Sequence, residues 1–112
     1  MTQIQYRWLI PEEVTKIADI DRSERIRIGY KQIGRELEQM AVNWDSPTWA
    51  REGDGDYSVA AQIEFCRGHL ARNGRLFGAF DEEKLVGIGL IQPEVAESTS
   101  QLAFLHVSNQ YR

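Results

Sequence analysis

Side chains able to move a proton, attack a carbonyl or hold a metal are few and scattered in this sequence. The one cysteine, Cys66, falls on an apolar stripe with Val59, Ile63 and Leu70 and has no activating histidine or metal-ligand set near it in sequence, so it reads as a core residue. His69 stands among polar neighbours on the same expected helix and reads as solvated, while His106 lies in an apolar run and reads as a packing histidine with a site role as the alternative. No spacing of His, Cys, Asp or Glu matches a zinc site. Gly87 and Gly89 sit inside a strand-like run instead of ahead of a helix, which excludes a phosphate loop there.

Carboxylates are more numerous. Glu64 and Glu82 read as surface groups, and Asp54 and Asp56, next to Gly53 and Gly55, read first as turn and cap residues and second as an attraction for a cationic amine. Trp44, Trp49 and Tyr57 concentrate aromatic surface in a polar stretch, where such rings either anchor a loop or line a pocket.

Elements must position these groups. Ile4–Ile10 reads as a strand stopped by Pro11, and Pro11-Glu12-Glu13 opens a helix with stripe residues Val14, Ile17 and Ala18, ending near Asp21. Ile26–Met40 satisfies both helical spacing and alternation; Gly29 and Gly34, costly in a helix, favour a β-hairpin. Asn43–Asp56 reads as a loop, and Tyr57–Asn73 as a helix capped by Asp56 or Ser58 and stopped at Asn73-Gly74. Leu76–Phe80 and Leu85–Gln92 form an antiparallel hairpin, Pro93–Ser100 a polar connection, and Gln101–Val107 a last strand. Strict alternation puts Leu102, Phe104 and His106 on one face of it and Gln101, Ala103, Leu105 and Val107 on the other.

The 112 residues, 42% hydrophobic and 27% charged, fit one domain, 1–112, with a single core. A net charge of −4 argues against a nucleic-acid partner, which normally meets a clustered basic face. No apolar run approaches the roughly 20 residues of a membrane span, and the first residues lack a signal-peptide pattern, so no membrane partner and a cytoplasmic location are expected.

Arg75-Leu-Phe-Gly-Ala-Phe-Asp81, Lys84-Leu-Val-Gly-Ile-Gly-Leu-Ile91 and Gln101-Leu-Ala-Phe-Leu-His-Val-Ser-Asn-Gln-Tyr-Arg112 together resemble the central hairpin and fourth strand of GNAT (GCN5-related) N-acetyltransferases. Ile20-Asp-Arg-Ser-Glu-Arg-Ile26 is similar to a subgroup that inserts a hairpin between its first two helices. In that family the fourth strand runs into a pyrophosphate loop of pattern [QR]-x-x-G-x-[GA], and Arg112 looks like its first letter. The resemblance therefore implies an α+β fold, the N-terminal part of an acyl-CoA N-acyltransferase with a mainly antiparallel sheet flanked by two helices. It implies acetyl-CoA as co-substrate, held by the main chain of Leu105, His106 and Val107 and by Arg112, and a primary amine as acceptor.

Two positions where the family often carries a base fall on Gln101 and Ala103, neither of which takes a proton, leaving a water relay or a residue elsewhere, with Glu64 the candidate to test. Trp44, Trp49 and Tyr57 would line the acceptor pocket. The loop and a later tyrosine acid lie outside this sequence, so the chain alone is expected to be inactive. The alternative is a non-catalytic module that self-associates as a homodimer through the edge strand Gln101–Val107. A small ligand-binding α+β domain unrelated to acyl-CoA is a third reading.

Overall fold

A computed structural model describes residues 3–112. Among the described residues the fold is mixed, with six antiparallel strands in two sheets, one α-helix and two 3-10 helices. Strands β1 (Ile4–Trp8), β4 (Arg75–Asp81), β5 (Lys84–Ala96) and β6 (Thr99–Val107) form one sheet in the order β1-β4-β5-β6, and β2 (Glu24–Ile33) and β3 (Glu36–Ser46) form a separate hairpin. Among the described residues no helix is long and apolar enough to cross a membrane.

The expected helix starts at Pro11 and ends at Asp19, close to Asp21, and it is wound as a 3-10 helix. Its buried side chains explain the tighter winding. Val14, Ile17 and Ile20 are spaced by three, which stacks them on one edge at three residues per turn. Glu13 holds the entry: its carboxylate accepts the Ile10 N–H at 3.1 Å and both Arg7 terminal nitrogens at 2.8 and 2.6 Å.

The helix α1 (Val59–Leu70) starts where Ser58 Oγ accepts the Ala61 N–H at 3.0 Å, so Ser58 and not Asp56 is the cap. It stops through Asn73 at φ 67° and a Gly74 N–H bond to the His69 carbonyl at 2.8 Å. A Cβ on Gly74 would stand 2.7 Å from that carbonyl oxygen, so this position requires glycine.

Three boundaries correct the sequence reading. β3 continues to Ser46, taking Asn43–Ser46 out of the expected loop. β5 continues through Pro93 to Ala96 and β6 begins at Thr99, so most of Pro93–Ser100 is extended, with Ala96 paired to Thr99 and Glu97-Ser98 turning between them. The ladder accommodates Pro93 through an irregularity between Gln92 and Ala96, where proline costs no regular bond. Leu90 pairs with Phe104 and Ile91 with Leu102, which leaves Ala103 as a bulge. That bulge moves Leu102 off the face of Phe104 and His106 and onto the face of Leu105 and Val107, where its side chain lies 3.9 Å from the position of a Cβ on Gly89.

The two faces of the sheet differ sharply as a result. One packs Leu76, Phe80, Ile88, Leu90 and Phe104 against Val14, Ile17, Trp49 and Cys66 to make the core. The other carries Tyr6, Trp8 and Phe77 on one side and Leu102, Leu105 and Val107 on the other, exposed, with Gly87 and Gly89 as the floor of the furrow between them.

Candidate functional site

The strongest convergence of the expected site residues is at the end of β6. Residues 20–26 run alongside this end, and a short 3-10 turn (Asn109–Tyr111) follows the strand. The Asp21 N–H donates to Ser108 Oγ at 2.9 Å, the Asn109 N–H to the Asp21 carbonyl at 2.8 Å, and Asn109 Nδ2 to the Ser23 carbonyl at 2.8 Å. Ser108 is 3% exposed, so its hydroxyl fixes the junction from inside. Asp21 turns its own carboxylate onto Ser23, whose hydroxyl foremost and then its N–H at 3.0 Å hold the carboxyl pKa below the usual range, with Arg112 and Lys84 adding to the effect.

Arg112 spans the two segments. Its Nε donates to the Val107 carbonyl at 2.8 Å, one terminal nitrogen to the Arg22 carbonyl at 3.3 Å, and the other pairs with Glu24 at 3.3 Å. Tyr111 donates its hydroxyl to Asp81, tying the same turn to the end of β4; that bond, foremost, raises the phenol's pKa.

These contacts enclose a cleft of about 390 Å3 lined by Leu105, His106, Val107 and Arg112 together with Arg22, Glu24 and Ser46. All four residues expected for a cofactor are there. Their main chains are not equivalent. Ser108 N–H bonds the Val86 carbonyl at 2.8 Å, so by the alternation of an antiparallel ladder His106 turns its N–H and C=O toward β5, and Leu105 and Val107 turn theirs to the open edge. The Val107 carbonyl, held by Arg112, agrees with that phase. Main-chain contact with a ligand along this edge thus falls to Leu105 and Val107, whereas His106 contributes its ring.

That ring is half packed. It meets Trp49 edge-on at 4.8 Å and Phe104 at 4.5 Å between centroids. Burial, then Arg22 and Arg112, lower the His106 pKa below its ordinary value, so the imidazole is neutral near pH 7.

The aromatic group does not form the acceptor pocket expected of it. Trp49 is 3% exposed and stacks on Phe104 at 5.8 Å, anchoring its loop in the core. Trp44 stands exposed on β3, paired with Ile26, covers Gly29 and lines neither this cleft nor a pocket with the other two. Tyr57 is exposed and meets Trp49 only through Arg22, whose guanidinium lies 5.6 Å from the Tyr57 ring and 5.7 Å from the Trp49 ring.

Glu64 is not placed as a base for this cleft. It projects beside the buried stripe of α1, is largely exposed, and pairs with Arg67 at 3.0 Å. His69 is not simply solvated: its Nδ1 pairs with the Gln92 amide oxygen at 2.7 Å, and Gln92 in turn donates to the Arg72 carbonyl at 2.6 Å. Those residues and Gln101 line a larger concavity, about 660 Å3, at the opposite end of β6. Cys66 is fully buried, which pushes its thiol up to about 12. Asp54 and Asp56 are exposed and line neither cavity.

No protein-family model matches the chain, and no curated protein does. Among the described residues no group of His, Cys, Asp and Glu could hold a metal ion. Arg22, Glu24 and Ser46 went unnoticed as site residues in the sequence; the available signal was the polar run Asp21–Glu24 directly after an apolar stripe, which marks a segment held by its side chains instead of by burial.

Proposed function

We propose that this chain is the N-terminal part of a GNAT-type N-acyltransferase, moving an acetyl group from acetyl-CoA to a primary amine. The observation that carries this reading is the gathering of Leu105, His106, Val107 and Arg112 around one cleft at the end of an unpaired edge strand. An extended acyl-pantetheine arm is a chain of amides, and it binds as an added strand would, to outward N–H and C=O groups. Leu105 offers both groups and Val107 its N–H, the Val107 carbonyl being held by Arg112, which stands at the point where phosphates would follow.

In this mechanism the amine attacks the thioester carbon, the thiolate leaves, and the attacking nitrogen gives up its proton. Main-chain N–H groups on β6 polarise the carbonyl oxygen as negative charge develops on it. No carboxylate other than Glu24 lines the cleft, and Glu24 is engaged with Arg112, so the proton passes to water or to the neutral His106 ring.

Calorimetric titration with acetyl-CoA tests the reading. A chain continued through a loop of pattern [QR]-x-x-G-x-[GA] and the helix it opens should bind tightly, and the present chain only weakly, because phosphates need the loop's N–H groups. If neither binds while both are folded, the reading fails. The open edge of β6 then favours the second reading, a module that pairs with its own copy along Thr99–Val107.

A further inference from the structure

Arg22 is the one cation at the cleft whose charge nothing balances. Arg112 pairs with Glu24, and His106 is neutral near pH 7. Among the described residues Arg22 makes no ion pair, its Nε is buried without a hydrogen-bond partner, and the nearest carboxylate in sequence, Asp21, is turned onto the Ser23 N–H. The rings of Trp49 and Tyr57 lie against the guanidinium and attract its positive charge. Rings do not satisfy in-plane N–H donors, and a buried donor left without a partner costs free energy that an oxygen ligand would recover.

We propose that the cleft binds a singly charged carboxylate on the guanidinium of Arg22. The charges that line the cleft are Arg22, Arg112 and Glu24, a net of one positive, which suits a monoanion better than a phosphate dianion. A guanidinium presents two parallel N–H groups at the spacing of carboxylate oxygens, so a shift of the Arg22 side chain that opens its buried Nε–H to the cleft lets one carboxylate take that donor and a terminal N–H together. The carboxylate site stands whether or not the chain is an acyltransferase. On that reading it names the acceptor class: an amine that also carries a carboxylate.

The test is NMR of the 15N-labelled chain with sodium acetate, against sodium chloride at equal ionic strength and inorganic phosphate as a second arm. Acetate should shift the Arg22 Nε–Hε resonance saturably and move the His106 titration midpoint upward, since the bound anion offsets a charge that depresses it. Arg22→Gln should abolish the acetate-dependent part of the His106 shift. Arg22→Lys, which keeps the charge and loses the fork, should bind about fivefold more weakly. No saturable Arg22 shift, an acetate effect that survives Arg22→Gln, or a response to phosphate alone overturns the proposal. If Arg22→Gln fails to fold, the Arg22 resonance of the unaltered chain decides. Failure of the acyltransferase reading is separate, because it is read from acetyl-CoA binding and not from acetate.

Discussion

The thiol of Cys66 shows how burial alone sets reactivity. With its pKa pushed up to about 12, it holds almost no thiolate at pH 8. Cys66 should therefore resist a disulfide reagent in the folded chain and react at once in denaturant, as thiol titration would show. Glu13 illustrates the opposite shift. Its bonds to Arg7, then to the Ile10 N–H, hold its pKa at about 2, below its ordinary value of 4.5. A carboxylate with a depressed folded pKa stabilises the fold above its unfolded pKa, and that contribution disappears as pH falls from about 4.5 toward 2. Glu13→Gln should cost about 1 kcal/mol at neutral pH, less in high salt, and the two melting temperatures should converge near pH 2.

At the scale of elements, the junction of residues 21–24 with the end of β6 decides whether a site exists at all. Ser108→Ala leaves the Asp21 N–H without its 2.9 Å partner inside the protein and should cost about 1–3 kcal/mol, measured by urea unfolding. It should also loosen Arg112 and so raise the midpoint of His106. The ends of α1 were legible in the sequence because Ser58 and Asn73-Gly74 carry their conformations in their own chemistry. The β2–β3 hairpin was legible because Gly34, at φ 61°, outweighed a helical spacing. The long 3-10 helix and the Ala103 bulge were not. Both depend on partners distant in sequence: Val14, Ile17 and Ile20 wind tightly to share one core edge, and Ala103 is the extra residue on β6 where Leu90 and Ile91, consecutive on β5, pair with Phe104 and Leu102. The bulge reassigned Leu102, and the pairing phase it leaves intact separated the main chain of His106 from those of its neighbours.

For the molecule as a whole, the main liability is the second face of the sheet. Taking about 200 Å2 for a large exposed side chain, the outward parts of Tyr6, Trp8, Phe77, Ile91, Leu102, Leu105 and Val107 amount to roughly 700 Å2, above the apolar patches typical of monomers. At high concentration the chain should self-associate, and light scattering can separate two routes. Leu105→Pro removes an outward N–H without breaking the β5–β6 ladder and should block pairing through the edge; Leu102→Lys should block association through the face. A strict monomer at high concentration would contradict both.

The most direct measurement is the amide spectrum of the 15N-labelled chain titrated with acetyl-CoA at millimolar concentration. The acyltransferase account predicts saturable shifts at Leu105 and Val107, whose N–H groups face the open edge, and smaller ones at His106, whose N–H stays in the ladder. A folded chain whose Leu105 and Val107 amides do not respond, or respond no more than the apolar furrow at Tyr6 and Phe77, would contradict it.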